Sequence, residues 1–400
     1  MTASGTTESP TDMPTGTMTP ARILNAPSAA RYQDDHRLWQ GIPSVEITDG
    51  GRLYANWYTG MDTETSGNFV VVAISDDSGE TWTAPRFVVE HSDPHVRVYD
   101  PCLWRDPRGR LWLTWNQSAG FFDGRVGAWF AISENPDADD PTWSEPRRIG
   151  NGIMMNKPTV LSDGTWLFPT AIWNCHTPTE DHPEVSDEYF SNVYASTDAG
   201  ATFALRGSAD VPNRSFDEHM VVERLDGSLW MLVRCFDGVG EAVSTDAGRT
   251  WTSGRKSEDV DGPCSRFHIR RLPSGNLLMI NHADFGERRT VEEIHTQGDV
   301  KSWRGRTNLT AFLSADDGKT WPHRLLLDDR DDVSYPDAAV GQDGSIYVVY
   351  DHDRFGDRAI YLSRLTETDI LNGRWTSPGS HTRHLVNRAL ALPEPQAASV

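Results

Sequence analysis

Apolar positions along this chain come in short runs of strand length, and the runs come in pairs divided by a turn containing glycine. Six pairs are legible: Pro43–Tyr58 around Gly51, Pro101–Trp115 around Gly109, Pro158–Thr170 around Gly164, His219–Arg234 around Gly227, Phe267–His282 around Gly275 and Pro336–Tyr350 around Gly344. Continuous or alternating apolar runs of this length, split at a glycine, predict β-hairpins. A helical period of 3.6 residues is nearly absent.

A second pattern follows the hairpins. Ser75–Trp82, Ser196–Phe203, Ser244–Trp251 and Ser314–Trp321 share the spacing Ser-x-Asp-x-Gly-x-Thr-aromatic, and Ser133–Trp143 keeps only its two ends. The logic is a tight turn: Asp accepts backbone N–H groups, Gly takes a positive φ, and the aromatic ring packs inward. Recurrence every roughly 50 to 70 residues marks one supersecondary unit per repeat. Six hairpins at that spacing predict an all-β fold, a single six-bladed β-propeller of four-stranded blades spanning about residues 31–377.

Composition narrows the partners. The 400 residues carry 37 Lys and Arg against 58 Asp and Glu, a net charge of −21, which argues against nucleic acid or an anionic membrane as partner. Four cysteines, Cys102, Cys175, Cys235 and Cys264, lack CxxC spacing and read as buried free thiols. No ligand spacing demands a metal, and no cofactor is expected. Residues 1–30 are rich in Thr, Ser, Pro and Gly without a basic or apolar leader region, so a flexible tail and cytoplasmic residence are expected. Residues 378–400 read as a second tail, within which His381–Leu390 could pair as a strand closing the last blade on the first.

In a propeller the innermost strands converge on a central channel, so equivalent strand ends meet on one face. Counting back nine residues from Gly51, Gly109, Gly227, Gly275 and Gly344, and seven from Gly164, gives Ile42, Asp100, Lys157, Glu218, Arg266 and Tyr335. Five of these six are ionisable, and Asp, Lys and Glu are poor strand formers, so strand propensity does not explain them. A one-residue slip would substitute Gly41, Asn156, Asp217 or Ser265. The far ends of the second strands return Asn116, Trp173, Arg234, His282 and Asp351 to the same face. A ring of unlike charges around a channel mouth predicts a binding or catalytic site, with a structural ion-pair network as the plainer alternative.

Over roughly residues 35 to 370, these residues and the repeated octets resemble the sialidase (neuraminidase) superfamily of Asp-box propellers. Asp217-Glu218-His219, leading to Arg234, is similar to the family segment that carries a Glu followed by a substrate-binding Arg. Arg306-Thr307-Asn308 resembles the segment of the last such Arg, and Ser334-Tyr335-Pro336-Asp337 that of the catalytic Tyr. The resemblance implies a Tyr335 nucleophile assisted by Glu218, with Arg234 and Arg306 gripping a substrate carboxylate. A phenol is a poor nucleophile at neutral pH unless a base takes its proton, and a Tyr nucleophile is the known exception among retaining glycosidases. The implied function is a sialidase-like exo-glycosidase acting on a terminal acidic sugar of a glycan or glycoside. The catalytic acid would lie in the loop after the first hairpin, at Asp62 or at Glu64, which is nearer the next strand.

One departure stands out. Where the family opens with Arg-Ile-Pro, this chain reads Gln40-Gly41-Ile42-Pro43. Either Arg266 or Lys157 supplies the missing charge, or the sugar is not an ordinary sialic acid. Asn156-Lys157-Pro158 and Ser265-Arg266-Phe267-His268 also depart from the ordinary pattern, so Asn156, Lys157, Arg266, Asp100 and His282 are carried as substrate-binding candidates. The alternatives are a propeller hydrolase or lyase for a uronate or deoxysugar, and a non-catalytic glycan-binding propeller.

Overall fold

The computed structural model describes residues 18–61, 63–119, 126–173, 183–286 and 305–391. An outlying strand, β1 (Arg22–Asn25), precedes blade 1, which is built from β2 (Trp39–Ile47), β3 (Leu53–Gly60), β4 (Phe69–Ser75) and β5 (Phe87–Glu90). Blade 2 holds β6 (Val96–Arg105), β7 (Leu111–Ala119), β8 (Gly127–Ser133) and β9 (Arg147–Asn151), and blade 3 holds β10 (Thr159–Val160), β11 (Trp166–Ala171), β12 (Ser191–Ser196) and β13 (Ala204–Ala209). Blade 4 follows with β14 (Arg214–Glu223), β15 (Leu229–Cys235), β16 (Gly238–Ser244) and β17 (Arg255–Lys256). Blade 5 has β18 (His268–Arg271), β19 (Leu277–His282), β20 (Leu309–Ser314) and β21 (His323–Asp328); blade 6 has β22 (Val333–Val340), β23 (Ile346–His352), β24 (Ala359–Leu365) and β25 (His381–Arg388). The first strand of each blade lies innermost, and each of the six turn glycines has a positive φ between +79° and +94°. The six-bladed, all-β expectation holds.

The octets sit between the third and fourth strands. In the first, Gly79 N–H donates to Ser75 Oγ (2.9 Å), and Thr81 donates from N–H and Oγ1 to the Asp77 carboxylate (2.9 and 2.6 Å). The hydrogen bonds from Thr81 hold Asp77 down at about 2. The octet aromatics Trp82, Phe203, Trp251 and Trp321 pack onto the apolar clusters that fill the blade interfaces. Period-two alternation divides each middle strand between two neighbours. On β15, Leu229, Met231 and Val233 face blade 3, whereas Trp230 and Leu232 face blade 5.

Both chain ends depart from expectation. The stretch read as a loose tail is ordered from β1, where Arg22 pairs opposite Glu90 and covers the outer edge of β5 that would otherwise lie bare. The His381 segment forms β25 as expected, but it pairs with β24 inside blade 6 rather than bridging to blade 1. The ring is tied instead by Arg37 Nη2 donating to Asn387 Oδ1 (2.8 Å) and Leu390 N–H donating to Asp34 O (2.7 Å).

The inner strands leave one backbone edge facing the channel, and buried donors and acceptors there must find partners. Asp337 is the centre of the solution. Its carboxylate accepts from Ser44 Oγ (2.6 Å) and Val45 N–H (3.0 Å), and lies 3.1 Å from Lys157 Nζ, 3.0 Å from His268 Nδ1 and 3.6 Å from Arg266 Nη2. Lys157 also donates to Val45 O (2.7 Å) and Leu103 O (2.5 Å), and Arg266 donates to Pro43 O (3.3 Å) and Asn156 Oδ1 (2.7 Å). Burial works against ionisation of Asp337, but Lys157, His268 and Arg266 override it and hold the carboxyl well below the usual range. At the mouth nearer the glycine turns the channel widens to a cavity of about 490 Å³. Several charged lining residues are already engaged there, Arg105 by Asp49 and Arg271 by Asp317.

Asp337→Asn is therefore expected to cost about 3 to 5 kcal/mol, the range for removing one partner from a buried charge cluster. Urea unfolding would read this as a lower midpoint at unchanged m-value. A loss under about 1 kcal/mol, typical of exposed pairs, would show that this knot does not hold the ring together.

Candidate active site

At the other end of the channel the inner strands bulge. Register breaks between Gly41 and Ser44, Tyr99 and Cys102, Asp217 and Met220, and Ser334 and Asp337. At these breaks Ile42, Asp100, Glu218 and Tyr335 adopt φ of 58°, 44°, 42° and 52°. Three of them precede a proline, which costs no ladder bond where pairing is already broken. Left-handed backbone at four equivalent non-glycine positions is strain that packing must maintain, and it turns these side chains toward the channel mouth.

Two of these side chains meet. Tyr335 Oη donates to Glu218 Oε1 at 2.8 Å, inside the range expected for a phenol and its base. Arg234 Nη1 donates to the same Glu218 oxygen (2.6 Å) and to Tyr335 Oη (2.9 Å). All three residues are buried. Burial, reinforced by Glu218, pushes the phenol up to about 12 against the opposing guanidinium groups, so it is neutral at neutral pH and needs a base to react.

Arg306 joins the group as expected, its guanidinium carbon 5.4 Å from the Tyr335 ring centroid and its Nη2 donating to Cys264 O (3.3 Å). Burial pulls Arg306 down to about 10. Cys264 Sγ also receives Arg234 Nε (3.4 Å), so one residue braces both arginines. Phe216 stacks on Arg234 at 4.9 Å and meets Trp173 edge-on at 4.9 Å, forming an aromatic wall.

A third guanidinium comes from a residue that sequence reasoning missed. Arg354, in the loop after β23, lies 4.3 Å from the Tyr335 ring centroid. It is held by Asp351 (2.9 Å), Glu64 (3.3 Å) and Ser334 Oγ (3.3 Å). It occupies the space that Gly41 vacates, because a Cβ at Gly41 would lie 2.6 Å from Arg354 Cδ and 2.9 Å from its Nε. The available signal was the pairing of a glycine at that position with Asp351-x-x-Arg354 on the neighbouring blade.

The remaining candidates divide. Glu64 reaches the site, bridging Arg354 and Arg97 (3.7 Å). Asp62 lies outside the described residues. Asp100 is buried at its bulge. Lys157 and Arg266 do not supply the missing charge: both are tied to Asp337 deeper in the channel, because blades 3 and 5 lack the bulge that would turn them outward. Asn156 is a brace, donating to Glu218 O (2.8 Å) and His219 O (3.1 Å) beneath the bulge. His282 meets Thr307 O through Nδ1 (2.9 Å), and burial lowers it to about 4, so it steadies the Arg306 segment as a neutral ring. Cys102, Cys235 and Cys264 are free and buried, and Cys175 lies outside the described residues.

The arrangement surrounds one base-paired phenol with three guanidinium groups, which suits an anionic ligand attacked by a neutral nucleophile. The family model for a BNR repeat-like domain matches residues 51–348. A sialidase of Bacteroides fragilis (strain YCH46) is 24% identical over 358 residues, covering 80% of this chain and 61% of that protein. A sialidase of Clostridium perfringens is 25% identical over 252 residues, covering 55% of this chain and 63% of that one. The chain thus spans about three fifths of the length of these relatives. Among solved structures a Hadza microbial sialidase superposes with a TM-score of 0.63 at 20% identity, over 84% of this chain and 67% of its own, a likeness of fold.

If Arg354 grips an anion, Arg354→Ala should weaken binding of a carboxylate-bearing sugar by roughly 10- to 150-fold, the equivalent of about 1.5 to 3 kcal/mol for a charged hydrogen-bonding partner. Binding of the corresponding neutral sugar should not change. Calorimetric titration of both sugars checks this, and equal affinities in variant and wild type would remove Arg354 from ligand recognition.

Proposed function

Because the chain belongs to the family of BNR repeat-like domains and presents a phenol–carboxylate pair among three arginines, we propose that it is a sialidase-like exo-glycosidase cleaving a terminal acidic sugar. The observation that carries this reading is the Tyr335–Glu218 hydrogen bond of 2.8 Å with Arg234 bridging both partners. A binding module has no use for a buried phenol held against a base. In the proposed reaction Tyr335 Oη attacks the anomeric carbon while Glu218 Oε1 takes the phenolic proton. The glycosidic oxygen leaves with a proton from an acid, and water later releases the sugar from Tyr335.

The three guanidinium groups would hold the substrate carboxylate and offset the charge developing near it. A neutral nucleophile matters because an attacking carboxylate would be repelled by that substituent. The third arginine enters from blade 6 rather than from the Gly41 strand, which favours an acidic sugar whose carboxylate sits differently from that of an ordinary sialic acid.

Two results check this reading. A set of chromogenic glycosides comprising a sialoside, a uronide and a neutral rhamnoside should show turnover confined to an acidic sugar; efficient turnover of the rhamnoside alone, or of none, would overturn it. On the active substrate Tyr335→Phe should lose at least about 10²-fold in kcat, the low end for a proton-transfer partner. Full activity in that variant would take Tyr335 out of the chemistry.

A further inference from the structure

The cavity of about 490 Å³ at the glycine-turn mouth lies at the opposite end of the channel from Tyr335, and blades 2 to 5 line it. Its volume falls in the range of small-molecule sites. Trp104 and Met220, both buried, supply apolar wall. The carboxylates of the lining are already engaged. Asp49 meets Arg105, and Asp106 meets Arg110 Nε (2.6 Å) and Trp112 Nε1 (2.9 Å). Glu223 accepts from Ser162 N–H and Oγ, both at 2.7 Å.

Arg270 stands apart from the other cations there. On β18 the period of two sends Ile269 into the interface between blades 4 and 5 and leaves His268 and Arg270 on the face toward the channel. Arg270 lines the cavity, donates through Nη1 to Ala338 O (3.2 Å) and pairs with no carboxylate among the described residues. Arg105 and Arg271 of the same lining each have one, at Asp49 and Asp317. Burial works against the Lys157 ammonium, Asp337 and Glu46 overcome it, and Arg270 opposes it as a like charge. A guanidinium offers five N–H donors in a planar fork. Left without a counter-ion in a recess and beside a second cation, that fork favours any oxyanion that fits.

We infer that this cavity is a second ligand site, which takes a small organic oxyanion, a carboxylate- or phosphate-bearing molecule of monosaccharide size gripped by Arg270. With Nη1 held by Ala338 O, the remaining N–H groups of Arg270 meet the oxyanion. Trp104 and Met220 cover the apolar face of the molecule. A bare inorganic anion would leave most of the 490 Å³ unfilled, which is why the ligand is organic. This site needs nothing from the Tyr335 chemistry, so its ligand binds whether or not the glycosidase reading holds.

The test is calorimetric titration with galacturonate, glucose 6-phosphate, inorganic phosphate and neutral galactose, in wild type, Arg270→Gln, Arg270→Lys and Arg354→Ala. Glutamine keeps a donor for Ala338 O, and matching thermal unfolding would confirm that the variant is folded. At least one of the two anionic sugars should bind wild type and bind Arg270→Gln roughly 10- to 150-fold more weakly, the loss of a charged hydrogen-bonding partner. Arg270→Lys keeps the charge but not the fork, so its affinity should fall between the two. The tighter of the two sugars identifies the oxyanion, and both galactose and inorganic phosphate should bind more weakly than it does. Arg354→Ala should retain the binding. Failure of both anionic sugars to bind, affinity unchanged in Arg270→Gln, or inorganic phosphate binding as tightly as either sugar would overturn the proposal. So would a loss confined to Arg354→Ala, which would put the ligand in the Tyr335 site.

Discussion

Six strand edges that cannot pair with one another, closed around a narrow channel, are the constraint on which this structure depends. Their N–H and C=O groups are buried and must be met by side chains. Over the middle of the channel one carboxylate, Asp337, gathers a lysine, an arginine, a histidine, a serine hydroxyl and a backbone N–H from the inner strands, or their flanks, of three other blades. The partners then cap the edge carbonyls of Pro43, Val45 and Leu103. Charge is used here to satisfy the backbone.

Toward the opposite mouth the same constraint is met by breaking the edge. Bulges at Ile42, Asp100, Glu218 and Tyr335 interrupt the pairing of the inner strands and aim side chains into the mouth instead. The two levels are joined: Asn156 accepts from Arg266 in the knot and donates to the carbonyl of Glu218 in the site. Rigidity of the knot is thereby passed to the carboxylate that holds the phenol. In a chain of net charge −21, the clustering of Arg234, Arg306 and Arg354 around one phenol is a local reversal of sign, and its depth limits screening by salt.

Much of this was legible in the sequence because glycine turns fix register. Counting from them found all four bulged residues, and the family resemblance implied the pairing of Tyr335 with Glu218. The same count also returned Lys157 and Arg266, which face the knot. Sequence records the distance to a turn but not the sign of φ. Blades 3 and 5 begin their inner strands only at Thr159 and His268, so those two residues lie ahead of the ladder and drop inward. Arg354 was missed because it belongs to a connecting loop, where no period points to it, and its place is set by the absence of a side chain at Gly41 on another blade. Strand β1 was missed for a related reason: an isolated four-residue segment becomes a strand where β5 offers an open edge.

The central claim is that Tyr335 forms a bond to the sugar. Incubation with an acidic glycosyl fluoride carrying a second fluorine beside the anomeric centre slows both steps, while the fluoride leaving group restores the first, so a covalent intermediate accumulates. Peptide mass mapping should then find the sugar on the peptide containing Tyr335, and no adduct in Tyr335→Phe. A sugar attached to Glu218 or Asp100, or steady turnover of that reagent with no adduct at any time, would contradict the account.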